Sequence, residues 1–451
     1  MLNRRQFLQN TSLVGVTALG LKTRDLEAVS AATASVADRT PTEVAKDEFY
    51  WREIQSAFTL DRTLTNLNNG NSSPTPRVVH EALKRYLDFS NQLPVHYRRQ
   101  LSSNIEIVSR RLADEFGCDT EELAITRNAS EALQIAQNGL ELWPDDEVIA
   151  TEQDYGRMLT TWDQRVRRDG IKLTRINFPV PTTQDDLYDR FEQAITPRTK
   201  VLHFCHITNL TGQLFPVQRL SRLARERGIL SICDGAHAVA HFPFKLRDLE
   251  CDYYGTSLHK WLLAPHGTGF LYVRKEHIKN TWPLQAAPRR HDGDIRKFEE
   301  IGTSPAAPKA AIAEALAFHQ AIGAERKAAR LRYLTMHWAD RLKDHPRIQL
   351  HSNLELGQTW GLANVGVEGV EVRDMVQFFW DEYRIVINGI VRDDYQGLRV
   401  TPNIYTRLQE IDTFIEGMGR ILEDGLSSSA RVGSRGVADL DRFDDDTYFL
   451  S

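Results

Sequence analysis

Lys260 stands in the run Thr256-Ser257-Leu258-His259-Lys260-Trp261, directly after an apolar stretch with the texture of a β-strand. Apolar neighbours penalise an ammonium group, lower the lysine pKa and free the amine to attack an aldehyde. Ser257 offers a hydroxyl to a phosphate, and His259 offers a ring for stacking or proton relay. The plain alternative is a surface lysine behind a strand. A second run, Ser231-Ile232-Cys233-Asp234, ends a strand candidate in a carboxylate and continues as Gly235-Ala236-His237. Such a carboxylate can keep a heteroaromatic nitrogen protonated by charge pairing, or merely cap a helix. An aldehyde-seeking amine and a proton-holding acid are what pyridoxal phosphate (PLP) chemistry requires, because the ring draws electrons only while its nitrogen is protonated. His237 and His241 are four apart and could share a helix face, as metal ligands do. No further ligand is spaced to complete such a site, so no metal is expected.

Three further segments fit the same chemistry. Thr126-Arg127-Asn128-Ala129-Ser130-Glu131-Ala132 turns from a strand into a helix, where free backbone N–H groups and the Ser130 hydroxyl suit a phosphate; a simple helix cap is the alternative. Tyr155, in Gln153-Asp154-Tyr155-Gly156, follows a strand and can lie flat on a ring, or serve as a core or rim tyrosine. Asn209, in His206-Ile207-Thr208-Asn209-Leu210-Thr211-Gly212, can donate to a ring hydroxyl or be plain turn chemistry. Gly267-Thr268-Gly269 is no nucleotide loop, because it precedes a strand rather than following one.

These segments must be positioned by something. From about 120 to 275 short β-rich runs alternate with helical ones: strands at 123–126, 147–150, 171–176, 200–205 and 228–233, helices at 129–140, 157–168, 185–194 and 217–227. That alternation predicts an α/β domain with a mainly parallel sheet covered on both faces. Right-handed crossovers then put all strand C-terminal ends, and the segments above, on one edge. After Pro308 the texture changes to long helical runs at 309–322 and 324–344, then short strands at 348–350, 364–367 and 384–387 with helices at 370–383 and 409–422. This reads as a second, smaller α+β domain.

As a set, from about Leu67 to Leu422, these residues resemble the class V aminotransferase family of fold-type I PLP enzymes, in particular its isopenicillin N epimerase-like branch. The resemblance implies a fold-type I PLP-dependent transferase, with Lys260 as the Schiff-base lysine and Asp234 as the ring-nitrogen partner. It implies that Asn128, Ala129, Ser130 and Ser257 hold the phosphate, that Tyr155 stacks on the ring, and that His237 and Asn209 lie near its phenolic oxygen. Many relatives place histidine where Tyr155 stands. Arg399, in Leu398-Arg399-Val400-Thr401-Pro402-Asn403, resembles the arginine that grips the substrate α-carboxylate. Asn68, in Asn68-Asn69-Gly70, resembles the segment that approaches the cofactor. Thr303, in Glu300-Ile301-Gly302-Thr303, resembles the threonine that reaches the neighbouring subunit's phosphate, which implies a homodimer with shared active sites.

The composition agrees with such an enzyme. There are 56 basic and 61 acidic residues and a formal charge of −5, which gives no footprint for nucleic acid or an anionic membrane. Asn3-Arg4-Arg5-Gln6-Phe7-Leu8, an apolar stretch from Leu13 to Leu21 and small residues from Ala28 to Ala34 read as an export signal of twin-arginine type, too short to span a bilayer in the mature protein. That predicts an exported, periplasmic protein. The expected divisions are an export signal at 1–34, a segment at 45–90 contributing to the small domain, a large PLP-binding domain at 91–305, a small domain at 306–425 and a disordered tail at 426–451. The four cysteines, Cys118, Cys205, Cys233 and Cys251, read as buried free thiols.

The expected substrate is a small amino acid that displaces Lys260 from the aldehyde while Arg399 fixes its carboxylate. Loss of the α-proton to Lys260 can then lead to transamination, epimerisation or β-elimination. A persulfide-forming desulfurase is disfavoured, since it needs a thiol in the later part of the chain and the last cysteine is Cys251. A C–S lyase needs no such thiol and stays open. The contrasting reading is a non-catalytic exported binding protein that kept the fold, which the presence of both Lys260 and Asp234 argues against.

Overall fold

The computed structural model describes residues 24–426. The paired arginines at 4 and 5 and the residues from 427 onward, including the Asp444-Asp445-Asp446 run, lie outside the described residues. Arg24–Ser35, assigned above largely to the export signal, is a helix folded onto the body of the protein. It buries Val29 completely, and Asp25 takes a bidentate pair of hydrogen bonds from Arg77 at 2.6 and 2.9 Å.

After β1 (Thr65–Asn66), the strands β2 (Leu123–Thr126), β3 (Glu147–Thr151), β4 (Lys172–Ile176), β5 (Thr199–Cys205), β6 (Leu230–Asp234), β7 (Tyr253–Ser257) and β8 (Gly269–Val273) form one sheet in the order β2-β8-β7-β6-β5-β3-β4. Neighbours from β7 to β4 are parallel, and β8 alone runs antiparallel, between β7 and β2. The α/β reading holds, and the inner strands are almost wholly buried, as a parallel sheet covered on both faces requires. The chain moves outward from β3 to β4, then returns to the other side of β3 to lay down β5, β6 and β7. The loops after β3 and β5 therefore diverge and open a crevice at the sheet's C-terminal edge.

A second sheet, in the order β12-β13-β10-β9, consists of β9 (Ile348–Leu350), β10 (Ala363–Val367), β12 (Asn388–Val391) and β13 (Gln396–Val400), all antiparallel. The short β11 (Ile385–Val386) pairs instead with β1, and Asn68 bridges to Thr401, so the N-terminal segment reaches across to this unit.

The hydrophobic clusters redraw the expected boundaries. Tyr50, Trp51, Ile54, Val78 and Val79, and on the far side Ile312, Leu316 and Phe318, all pack in the core beneath the large sheet. Of the segment 45–90, the stretch around Leu67 joins the small unit's core, with Trp338, Phe379 and Phe414. The helix Ala324–Leu342 passes through both cores, contributing Leu331 to one and Leu334 to the other. Helical periodicity announces that a face is buried but does not name what buries it.

Two glycines let the layers close around the crevice. A Cβ on Gly255, in β7, would lie 2.6 Å from the Leu133 side chain, so only glycine lets the helix Ala129–Gly139 sit this close to the strand. A Cβ on Gly235 would stand 2.0 Å from the Tyr254 ring. Gly235→Ala is expected to destabilise the fold by about 1–3 kcal/mol through overpacking, read as a lower urea midpoint; an unchanged midpoint would show that the Tyr254 ring yields freely.

Candidate active site

The sheet's C-terminal edge brings the predicted residues together around a cavity of about 640 Å³. Asn128, Ala129 and Ser130 come from the end of β2, Tyr155 from β3, Asn209 from β5, Asp234 and His237 from β6, and Ser257, His259 and Lys260 from β7. Arg399 enters from β13 of the small sheet.

Lys260 Nζ lies 3.0 Å from His237 Nε2. Desolvation draws the lysine pKa down to about 8; Asp234 opposes that shift and Arg399 adds to it. Burial drives the His237 pKa well below the ordinary imidazole value, aided by Lys260 and Arg399, so its ring is neutral and accepts from the lysine. Asp234, 4% exposed, accepts from the Ala236 N–H at 2.9 Å, and its backbone carbonyl accepts from the His206 N–H at 2.7 Å. Burial raises the Asp234 pKa, while the Ala236 N–H and Lys260 pull it back. A carboxylate so withheld from water gains most from a cation placed directly against it.

The segments carrying these groups are held firmly. Trp261 is fully buried and stacks on His241 at 3.7 Å, and its carbonyl accepts from the buried Lys327. His241 uses both nitrogens structurally: Nδ1 donates to the His237 carbonyl at 2.7 Å, and Nε2 accepts from the Gly361 N–H at 2.7 Å. The His237–His241 stretch is a turn rather than a helix face, and among the described residues no cluster is arranged to hold a metal. Ala240 and Leu263, one in each segment, have φ of 59° and 64°. Such left-handed backbone costs a non-glycine residue and persists only where packing enforces it.

At the other end of the cavity the helix Ala129–Gly139 presents its N-terminus. Asn128 Oδ1 accepts from the Glu131 N–H at 2.9 Å, so this side chain caps the helix while lining the cavity. Ser257 Oγ accepts from the Ala129 N–H at 3.0 Å, which ties β7 to the helix start. The Ser130 N–H, in the first helical turn, lacks an intrahelical partner by position. Tyr155 is aimed by its neighbour: Asp154 accepts from the Thr151 N–H and hydroxyl at 2.7 and 2.9 Å and from the Cys205 thiol at 3.1 Å. Burial raises the Asp154 pKa to about 7. His259 Nδ1 donates to the Thr268 carbonyl at 3.3 Å.

Arg399 Nη2 donates to Asn68 Oδ1 at 2.7 Å and Nη1 to the Asn209 carbonyl at 3.0 Å. Asn68 thus acts through Arg399, and the wall beside it is formed by Gly70, Asn71 and Ser72. Thr303 is not brought into this cavity; it lines a separate one of about 940 Å³ with Ser102 and Lys275. Residue-type reasoning missed Arg157, His266 and Arg392, which also line the site. Arg392 had a legible signal, since Asn388, Ile390 and Arg392 alternate along one strand face.

The donor set fits PLP. Among the described residues Asn209 Oδ1 and His237 Nδ1 are buried without a hydrogen-bond partner, and both residues line the cavity together with Asp234. With Asp234 they are the groups needed for a phenolic oxygen and a pyridine nitrogen, and the helix N-terminus with Ser130 and Ser257 lines the same cavity for a phosphate.

Comparison with known proteins agrees. A family model described as aminotransferase class-V matches residues 65–403. Isopenicillin N epimerase of Streptomyces clavuligerus is 28% identical over 387 residues, covering 82% of this chain and 97% of the relative. That of Amycolatopsis lactamdurans is 29% identical over 391 residues, covering 82% and 98%. A probable cysteine desulfurase of Pyrococcus abyssi is 24% identical over 427 residues, covering 86% and 100%. Among solved structures, the Escherichia coli cysteine desulfurase CsdA superposes with a TM-score of 0.72 at 22% identity, covering 83% of this chain and 98% of that one. A C-DES mutant with glycine covalently linked to the PLP cofactor gives 0.71 at 22%, covering 81% and 100%.

Because the neutral amine is the nucleophile, capture of PLP by Lys260 should rise with pH through about 8. Borohydride trapping and peptide mass spectrometry across pH 6–10 measure this. In Asp234→Asn, which removes the charge that holds the lysine protonated, the midpoint should move to lower pH. A flat profile, or label retained in Lys260→Ala, would refute the assignment.

Proposed function

Since the chain belongs to the aminotransferase class-V family of PLP-dependent enzymes, we propose that it acts at the α-carbon of an amino acid as an isopenicillin N epimerase-like enzyme, Lys260 taking the α-proton from one face and solvent water supplying its replacement on the other. The observation that carries this reading is the pairing of Lys260 with a neutral His237 at 3.0 Å inside a cavity without a reactive thiol. All four cysteines are buried, and the one lining the cavity, Cys205, is held as a thiol by burial and by Asp154 and Asp234. The full-length match to two epimerases supports the same reading.

PLP, when bound, supplies the aldehyde and the electron-withdrawing ring that loosen the α-proton. Asp234 would hold the proton on the ring nitrogen, and the N-terminus of Ala129–Gly139, with Ser130 and Ser257, would hold the phosphate. Tyr155 would cover one ring face, and His237 and Asn209 would meet the phenolic oxygen. Arg399, fixed by Asn68 and the Asn209 carbonyl, grips the α-carboxylate through its planar fork. Lys260 Nζ would take the α-proton; its lowered pKa keeps a useful fraction neutral near pH 8. His237 Nε2 accepts from the departing or returning Lys260 amine and so fixes where it waits.

The proposal extends to a homodimer in which Thr303 completes the partner's phosphate site, and to export through the segment around Arg4-Arg5. Light scattering of the purified protein checks the first, with Thr303→Ala expected to loosen the cofactor; cell fractionation checks the second.

The purified protein should take up PLP and keep its visible absorbance through dialysis, and Lys260→Ala should lose it. In deuterated water an accepted amino acid should exchange its α-hydrogen and accumulate the opposite enantiomer, followed by NMR and chiral chromatography. Stoichiometric keto acid and ammonia would instead establish a lyase, and a colourless protein would restore the binding-protein reading.

A further inference from the structure

The hairpin of β12 and β13 carries more than Arg399. A side chain at Gly389 would meet Val376 and Val372 of the helix Val372–Tyr383 at 3.1 and 3.2 Å, so that face of β12 is turned to the helix. Asn388, Ile390 and Arg392 take the opposite face, and together with Gly389 and Val391 they line the cavity that holds Lys260. Asn388 is directly opposite Arg399 across the ladder, and the hairpin pairing continues to Arg392, whose N–H donates to the Tyr395 carbonyl at 2.8 Å. Four residues of strand place Arg392 about 13 Å along the ladder from Arg399. Between them lie Ile390 and Leu210, which pack together with Tyr395.

Arg392 is half-buried, and among the described residues its guanidinium makes one hydrogen bond, to the Glu152 carbonyl at 3.1 Å, and no ion pair. A guanidinium has five donors in a rigid fork suited to a carboxylate, and a half-buried one on a cavity wall with unused donors gains from an anion placed there. Among the described residues Asp234 is the sole carboxylate on the cavity wall, and it stands at the sheet edge with Lys260.

We propose that Arg392 is the specificity-determining residue for the substrate side chain, and that the substrate is an amino acid whose aliphatic side chain ends in a second carboxylate. The α-carboxylate binds Arg399, the methylenes cross Ile390 and Leu210, and the distal carboxylate meets Arg392. The assignment rests on the reading that Lys260 and Arg399 receive an amino acid.

L-glutamate and L-glutamine have nearly the same shape and differ in this charge. Titration of the PLP-loaded protein with each, followed by the change in visible absorbance and by thermal shift, should show glutamate acting at roughly tenfold lower concentration, the factor one charge-assisted contact supplies. Arg392→Gln should bring glutamate to the glutamine value. Arg392→Glu should reverse the order and favour L-ornithine over glutamate. Retained absorbance in both variants verifies that fold and cofactor site are intact. A wild-type protein that favours glutamine, answers to neither amino acid, or keeps its preference in Arg392→Gln would overturn the assignment while leaving the Lys260 chemistry standing. A wild-type protein that takes up no PLP would instead remove the reading on which it rests.

Discussion

Asp234 and Lys260 hang from adjacent parallel strands and share one enclosure, and the site depends on what that enclosure does to each of them. Withdrawal from water pushes the carboxylate pKa up and the ammonium pKa down, while their mutual attraction restores part of each charge. The result is an amine that is easily neutralised beside an acid that favours a cationic partner. Neither property belongs to lysine or aspartate in solution; both come from the register that sets Asp234 against Gly255, five residues before the lysine.

Much of the surrounding structure holds that pair in place. Gly235 gives way to the Tyr254 ring, Trp261 and His241 stack beneath the lysine loop, and Lys327 binds the Trp261 carbonyl from below. The left-handed residues Ala240 and Leu263 sit where the two segments turn sharply. Their cost is borne by the packing of the large core, which is why catalytic loops can hang from a rigid parallel sheet and still be fixed in direction.

On the reading proposed above, the small sheet supplies recognition. Its hairpin faces the crevice with one cation opposite Asn68 and another at its far end, separated by an apolar strip. The N-terminal segment crosses between the two cores, pairs β1 with β11 and seats Asn68 and Gly70 against Arg399. The proposed chemistry and selectivity thus lie on different sheets, so on this reading a change at the hairpin alters the substrate without disturbing the lysine–aspartate pair.

The strand–helix alternation from 120 to 275, the parallel sheet and the gathering of chemistry at its C-terminal ends were all legible in the residues, because each rests on local periodicity and on the fixed hand of crossovers. So were Lys260, Asp234 and Tyr155 as candidates, since their types and flanking runs carry the signal; Arg399 came from the resemblance of its segment to the family's. The tertiary structure alone decided which core receives the helices at 77–92 and 312–322, that residues 24–35 fold onto the body, and that Asn128 caps its helix while lining the cavity. It also decided that Arg392 faces the same space as Arg399. Those outcomes turn on contacts between segments hundreds of residues apart, where periodicity says that a face is covered and only packing chooses the cover.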